Sequence, residues 1–339
     1  GGAIVYDEAT GTNNKILHRV IAMAGHEVQS FDEVYINDEI ATIDGNNNVT
    51  SPSQYNGKIK IYFKLGAPDQ DAELALVNES SKWTTSHRLR GIAYMYVRLV
   101  FDADAFPNGI PTFTAGIKGK KVYDCRDYST AWSDNPALCL RDYLTSKYGL
   151  NETGGSIDDA LVISAANVCD QTNTIANTTR YTCNGAFTTV STPYDMMSEM
   201  LKSMGGSLWY AQGKWRMKPA YWTNPVMDLN NDDLRSAISV STRHSRRDNF
   251  NVIKGTFRGL ESNWQTTDYP QVTNSAFLVA DNNSESVADV DLTFTDNSIE
   301  ARRLALISLE RNRQQITLNA SFGLRTLELQ IGDNVRLTN

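Results

Sequence analysis

The stretch GIKGKK, Gly116–Lys121, joins glycine and lysine in the way that cradles phosphate in nucleotide enzymes. A phosphate loop of that kind leaves four residues between its glycines, then runs through Lys and Ser/Thr into a helix. Here Ile117 and Lys118 alone separate Gly116 from Gly119, and Val122-Tyr123 continues as a strand. Glycine with polar neighbours between apolar runs is turn chemistry, so a lysine-tipped hairpin is expected. A second basic cluster, Arg243, His244, Ser245, Arg246 and Arg247, reads as a solvated loop. In an acidic chain, Arg243, Arg246 and Arg247 also form a candidate docking patch working by charge complementarity.

Other catalytic types are scattered. His18, His26, His87 and His244 form no HxH or HExxH pair and have no cysteine within three residues, so no metal site is expected, and His18 and His26 default to the surface. No GxSxG elbow occurs. Carboxylates come in near neighbours: Asp32/Glu33, Asp69/Asp71, Asp158/Asp159, Asp232/Asp233 and Asp289/Asp291. A glycosidase needs two such groups facing across about 5–10 Å, which sequence does not supply. Asp158/Asp159 are better explained by the dipole of a helix start. Cys125, Cys139, Cys169 and Cys183 are scattered and form no CxxC; Cys169 and Cys183 flank a polar loop, but reduced thiols are the first expectation. No catalytic residue, cofactor or metal is assigned.

The 339 residues suffice for two or three domains. A formal charge of -7 disfavours tight wrapping of nucleic acid, which Lys and Arg drive. Gly91–Phe101 (GIAYMYVRLVF), the most apolar run, carries Arg98 and is too short to span a membrane as a helix. The N-terminus lacks the basic start and apolar core of a signal peptide. The leading Gly-Gly, and a last strand without closure, are those expected of a piece of a longer protein.

The elements that must position these groups fall into three blocks. Residues 1–132 read as β-rich: Glu33–Ile36, Lys58–Leu65 and Ile92–Phe101 carry β-branched and aromatic residues, with turns at Asp44-Gly45 and Asn56-Gly57. Ile59, Ile61 and Phe63 alternate with polar neighbours, the mark of a half-buried strand. Residues 133–222 read as a small α/β domain. Asn135-Pro136 starts one helix with Ala137, Leu140 and Leu144 inward, and Ser156 opens a second with Ile157, Leu161, Ala165 and Val168 inward. Thr192-Pro193 opens a third, whose Met197, Met200, Leu201 and Met204 suit either an adaptable groove or, more commonly, plain core. Gly205-Gly206 ends it, and Leu208–Tyr210 and Trp215–Met217 make a hairpin about Gln212-Gly213. Residues 223–339 return to β: Asn251–Arg258, Gln315–Ala320 and Thr326–Gln330 read as strands, around one helix begun by a capping box of Asn297 and Glu300. The fold class is mainly β with an inserted small α/β unit.

Three segments, KWTTSHRLRGIAYMYVRLVFD, GIPTFTAGIKGKKVYDCR and WSDNPALCLRDYLTSKYGL, stand in this order. GGSLWYAQGKWRMKPAYW, FNVIKGTF and EARRLALISLERNRQQITLNASFGLRTLELQIGDNVRLT follow. Together, over roughly residues 58–339, they resemble the central tail tip (baseplate hub) proteins of long-tailed bacteriophages, the lambda-like host specificity protein J family. Each word is modest; their order is specific. The resemblance implies a virion structural protein, assembled in the host bacterial cytoplasm and placed at the distal end of the tail as a homotrimer. It implies two tail-hub β-barrel domains per subunit, giving a pseudo-hexameric ring that closes or continues the tail tube, with 133–222 as an α+β decoration. It implies distal tail and tube proteins and the tape measure protein as partners. Viral DNA passes through the lumen without specific binding during ejection. Host attachment, to an outer-surface receptor, runs through segments outside this chain. An acidic lumen repels phosphate, so part of the net charge is expected to face inward. The Trp side chains are candidates for subunit anchors, most of them core. The alternatives are a virion-associated cell-wall glycan hydrolase, and a receptor- or carbohydrate-binding module.

Overall fold

The computed structural model describes residues 2–173, 178–242, 245, 248–259 and 262–338. The chain divides into two compact units, Gly1–Val122 with Thr130–Ser133, and Tyr123–Ser129 with Asp134–Asn339.

In the first unit, β1 (Ala3–Thr10), β2 (Ile16–Ala24), β7 (Ile59–Lys64) and β8 (Ala93–Val100) form an antiparallel sheet in the order β1-β2-β8-β7. A second sheet has the order β4-β3-β9, from β3 (Ser30–Ile36), β4 (Glu39–Ile40) and β9 (Phe113–Lys118). Two ribbons pair β5 (Thr42–Ile43) with β6 (Val49–Ser51), and β10 (Lys121–Tyr123) with β11 (Thr130–Trp132). Alternation along β8 feeds two cores. Met95, Val97 and Leu99 join Ile21, Ile59, Ile61 and, from the second sheet, Val34, Ile36 and Phe113. Tyr94 and Tyr96 point the other way, to Val20, Trp83 and Leu76 of the short helix α1 (Leu74–Glu79). Burial on both faces is why this strand is a nearly continuous apolar run.

One glycine is obligatory here. Gly66 has φ +87°, and a Cβ on it would lie 2.7 Å from Ala93 N and 2.8 Å from His26 O. Its N–H donates to Gln70 Oε1, and Gln70 Nε2 donates to Arg88 O and Ile92 O, pinning the loop that leads into β8.

In the second unit, Asn135 caps α2 (Pro136–Thr145), accepting from Ala137 N at 3.0 Å, and Pro136 takes the first helical position. Ala137, Leu140 and Leu144 are buried, as their spacing predicts. The second helix, α3 (Asp159–Cys169), starts later than Ser156, because residues Gly154–Ser156 form a separate 3₁₀ turn. Its buried residues are Val162, Ala165, Ala166 and Cys169; of the predicted stripe Ala165 is among them, Leu161 and Val168 are half-buried, and Ile157 is buried ahead of the helix. Thr192 caps α4 (Pro193–Lys202); Met200 and Met204 are buried core, with Met197 and Leu201 half-buried. The segment between α3 and α4 carries a short ribbon, β12 (Thr172–Asn173) with β13 (Thr178–Thr179). β14 (Ser207–Ala211) and β15 (Lys214–Lys218) form the predicted hairpin, with positive φ at Gln212 and Gly213.

The rest of this unit is a set of small sheets. β16 (Met227–Leu229) pairs in parallel with β24 (Val335–Leu337), and β17 (Ser239–Ser241) pairs with β23 (Thr317–Asn319). β18 (Val252–Lys254) lies between β21 (Val272–Thr273) and β22 (Val287–Asp289), while β19 (Thr256–Arg258) pairs with β20 (Thr266–Asp268). The predicted strand 251–258 is therefore two, broken at Gly255. Two helices interrupt the sheets where one was expected: α5 (Ser275–Ala280), too short to show a periodic face, and α6 (Ser298–Arg313). Ala301, Leu304, Ala305 and Leu309 of α6 are buried. The predicted strand 326–330 falls on a 3₁₀ turn, Leu324–Glu328, where the leucines repeat every third residue and no neighbouring strand pairs with them. The fold is mainly β with an α/β insertion, but among the described residues no sheet closes into a barrel. In the second unit most strands have two or three residues, too few ladder bonds to carry a closed circuit, and in the first the longer strands lie in open sheets.

Replacing Ile61, fully buried in β7, by Ala should cost about 2–5 kcal/mol in denaturant unfolding. Ile4→Ala on β1, 54% exposed, should change it by no more than about 0.5 kcal/mol.

Candidate functional site

The residues singled out for chemistry are committed to structural partners or sit apart. Gly116 lies within β9, opposite Glu33 of β3, while Lys121 starts β10, which pairs with β11. GIKGKK is thus a crossing between two sheets and not a hairpin, since its flanking strands pair with other partners. Lys118 Nζ lies 3.5 Å from Asp32 and 5.4 Å from the centre of the Trp132 ring, and Lys121 Nζ lies 2.9 Å from Glu27. Arg243, His244, Arg246 and Arg247, including the three arginines of the candidate docking patch, lie outside the described residues.

Most of the acidic pairs have at least one engaged member. Asp159 accepts from Arg141 at 2.7 Å, joining α3 to α2, and Asp158 lies 3.2 Å from Arg216 of β15. Asp233 caps a 3₁₀ turn and pairs with Arg325; Asp291 accepts from Thr256. Asp69, Asp71 and Asp289 are exposed. No group of three or more His, Cys, Asp or Glu poised for a metal occurs among the described residues. No cysteine is in a disulfide, Cys169 and Cys183 included.

His18 departs from its expected surface position. It is fully buried between β1 and β8: Nε2 is 2.7 Å from Thr10 Oγ1 and Nδ1 is 2.8 Å from the Tyr96 hydroxyl. Burial holds its pKa below the ordinary value, against the pull of the Glu79 and Glu8 carboxylates and with the help of Arg98. Its cross-strand partner Glu8 is nearly buried and accepts from Tyr6 and Ser81 hydroxyls at 2.6 Å and from Ser80. Burial pushes the Glu8 carboxyl up, but these donors outweigh it and bring it down to about 2.

One acid cluster was not legible as such. Glu300, at the third position of α6, is 3% exposed and does not return to its own cap as the predicted capping box requires. Asn297 caps the helix alone, accepting from Ile299 N at 2.8 Å. Glu300 instead accepts from Thr182 N at 2.8 Å, and the Thr182 hydroxyl lies 2.8 Å from Glu300 Oε2 and 3.1 Å from Asp296 Oδ1. Asn184 Nδ2 donates to Asp296 Oδ2 at 2.9 Å. Burial raises both carboxyls, Glu300 to about 8. Two acids at such close quarters are the raw material of glycoside hydrolysis, but Glu300 is shut away from any substrate.

What the surface does offer is aliphatic. Leu324 and Leu327, on the 3₁₀ turn, are 83% and 77% exposed, and Ile316, Val240, Ile238 and Val226 are also exposed on or beside β16, β17 and β23. The paired strands β17 and β23 are exposed along most of their length. A two-stranded ribbon is marginal in water without a covering layer, and clustered apolar exposure marks protein contacts. Of the tryptophans, Trp83 is core and Trp222 is 74% exposed.

No family model matches the sequence. The chain is 25% identical to the baseplate hub protein pb3 of Escherichia phage T5 over 84% of its length, and 25% identical to the tip attachment protein J of Escherichia phage SECphi27 over 70%. It spans 34% of the first relative and 22% of the second. In fold it superposes on a chain from the virion of a native gene transfer agent particle with a TM-score of 0.66 at 15% identity, covering 99% of this chain and 75% of that one.

The buried His18 has a sign. Because its folded-state pKa is depressed, the unfolded chain binds the extra proton, so stability is full above about pH 6.5 and is lost as pH falls below it. Glu8, also depressed, adds a second loss beginning near pH 4.5 and continuing toward about 2. Denaturant midpoints for unfolding of the first unit should decline in two stages as pH falls, and His18→Gln should flatten the first and leave the second.

Proposed function

We propose that this chain, which is related by sequence to phage baseplate hub and tail tip proteins, is a non-catalytic structural part of the tail tip in the virion. In this reading it assembles as a homotrimeric ring at the distal end of the tail, continues the tube, and meets the distal tail, tube and tape measure proteins. Viral DNA crosses the lumen unbound during ejection, past a wall carrying part of the net negative charge. Residues 1–132 and 223–339 form the ring, and 133–222 decorates it. Attachment to a host receptor runs through other segments of the longer protein.

The sequence relation to pb3 over most of the chain carries this reading. The fold likeness to the virion chain and the exposed aliphatic strands support it, since short ribbons with uncovered leucines suit a part completed by neighbours. The engagement of Asp158, Asp159 and Asp233 in ion pairs and a capping box favours a scaffold over a hydrolase.

Negative-stain microscopy of the purified chain at high concentration, with its mass in solution, should give three-fold rings around a channel. Leu324→Asp with Leu327→Asp should return the chain to a monomer with unchanged circular dichroism. Monomers at every concentration, or turnover of cell-wall glycan abolished by changing one Asp or Glu, would overturn the reading.

A further inference from the structure

The contact between Thr182 and the start of α6 has more acceptors than protons. The Thr182 hydroxyl carries one hydrogen, yet it lies within bonding distance of carboxyl oxygens of both Glu300 and Asp296, at 2.8 and 3.1 Å. It can donate to one of them only. The other approach is favourable only if that carboxyl brings a proton of its own and the hydroxyl oxygen accepts it. Every remaining oxygen is occupied: Glu300 Oε1 by Thr182 N–H, Asp296 Oδ2 by Asn184.

We infer that Glu300 and Asp296 share a single proton through the Thr182 hydroxyl, and that this chain of bonds is a latch clasping residues 182–184 to α6, which opens when the proton is removed.

Glu300 is the member that keeps the proton, being the more deeply buried. Its hydroxyl donates to Thr182 Oγ1, and Thr182 donates on to the Asp296 carboxylate. Removal of the proton by hydroxide, which becomes water, leaves two negative charges about one hydroxyl. The surroundings offset them only in part. Arg303, one turn along α6, is the cation that lowers the Glu300 pKa; its Nη1 donates to Arg180 O at 2.6 Å, while its Nη2 is buried without a hydrogen-bond partner. Asp134 opposes ionisation of Asp296, and the nearby thiols of Cys169 and Cys183 supply no positive charge. Arg180 faces Gln171 and the Tyr221 ring. The sign follows: a carboxyl whose folded-state pKa is raised binds its proton in the folded protein over the window from about 4.5 to about 8, so the clasp is complete below that window and weakens as pH rises through it.

Amide hydrogen exchange on the full chain, expressed as protection relative to the intrinsic rate at each pH, reads the latch directly. Protection at Thr182 and Asn184 should be highest near pH 4.5 and fall as pH rises, by at most about tenfold per pH unit for one proton, levelling off near pH 8, while the centre of β8 stays protected. Glu300→Gln keeps the shape and an acceptor for Thr182 N–H, and should make protection there independent of pH. Asp296→Asn removes the neighbouring charge: with Glu300 as the proton holder, the loss of repulsion moves the upper end of the fall to lower pH, whereas a fall abolished by this variant would make Asp296 the holder and overturn the assignment. Flat wild-type protection to pH 9.5, or an unchanged fall in Glu300→Gln, would overturn the inference; if Glu300→Gln does not fold, the wild-type profile and Asp296→Asn decide it.

Discussion

The burial of β8 on both faces is the constraint on which the first unit depends. A strand covered on one side tolerates alternation; this one is apolar but for Arg98, which pairs with Glu79, and each face must find its own cover. The second sheet covers one side through Val34, Ile36 and Phe113, and α1 with Trp83 covers the other. Polar groups that enter this interior must be fully partnered. His18 meets that demand by bonding at both ring nitrogens, and Glu8 by collecting hydroxyl donors from Tyr6, Ser80 and Ser81. The same bonds that satisfy these groups tie β1, an edge strand with exposed Ile4 and Val5, to the loop after α1.

The second unit solves the problem differently. Its helices have ordinary caps and buried faces, but its strands are short and its sheets small. Little of β17, β23 or β24 is removed from water. Such segments gain little hydrophobic free energy to set against the cost of ordering their backbone. A protein arranged in this way gains most from a neighbour, because each apolar side chain left outside is area still to be buried.

The legible parts of the sequence were those where local chemistry decides. Asn135-Pro136 and Thr192-Pro193 start helices, Gln212-Gly213 turns a hairpin, and Ile59/Ile61 face a core, because caps, turns and alternation act over a few residues. The failures were decided by distant ones. GIKGKK reads as a hairpin until β3 and β11 claim its flanks. Leu327 and Leu329 alternate like a strand, but no partner strand lies beside them. His18 reads as surface until β8 closes over it. Asn297 and Glu300 have the spacing of a capping box, and the first half forms; the second half is lost because Thr182, 118 positions away along the chain, offers Glu300 two donors where its own cap offers one.

That substitution of partners also joins sequence blocks that look independent. The α/β stretch 133–222 and the β stretch 223–339 differ in composition and periodicity, yet Thr182 and Asn184 reach Asp296 and Glu300, and Arg311 donates to Gly205 O. A segment held only by apolar packing is less strictly fixed in register, because packing is non-directional. One held by directional bonds to a buried carboxyl is fixed more strictly, because each bond sets an angle as well as a distance, and leaving a buried acceptor unpaired costs about 1–3 kcal/mol. The acid pair is therefore expensive to bury and useful for the same reason: it permits one placement of 182–184 against α6 and penalises its neighbours.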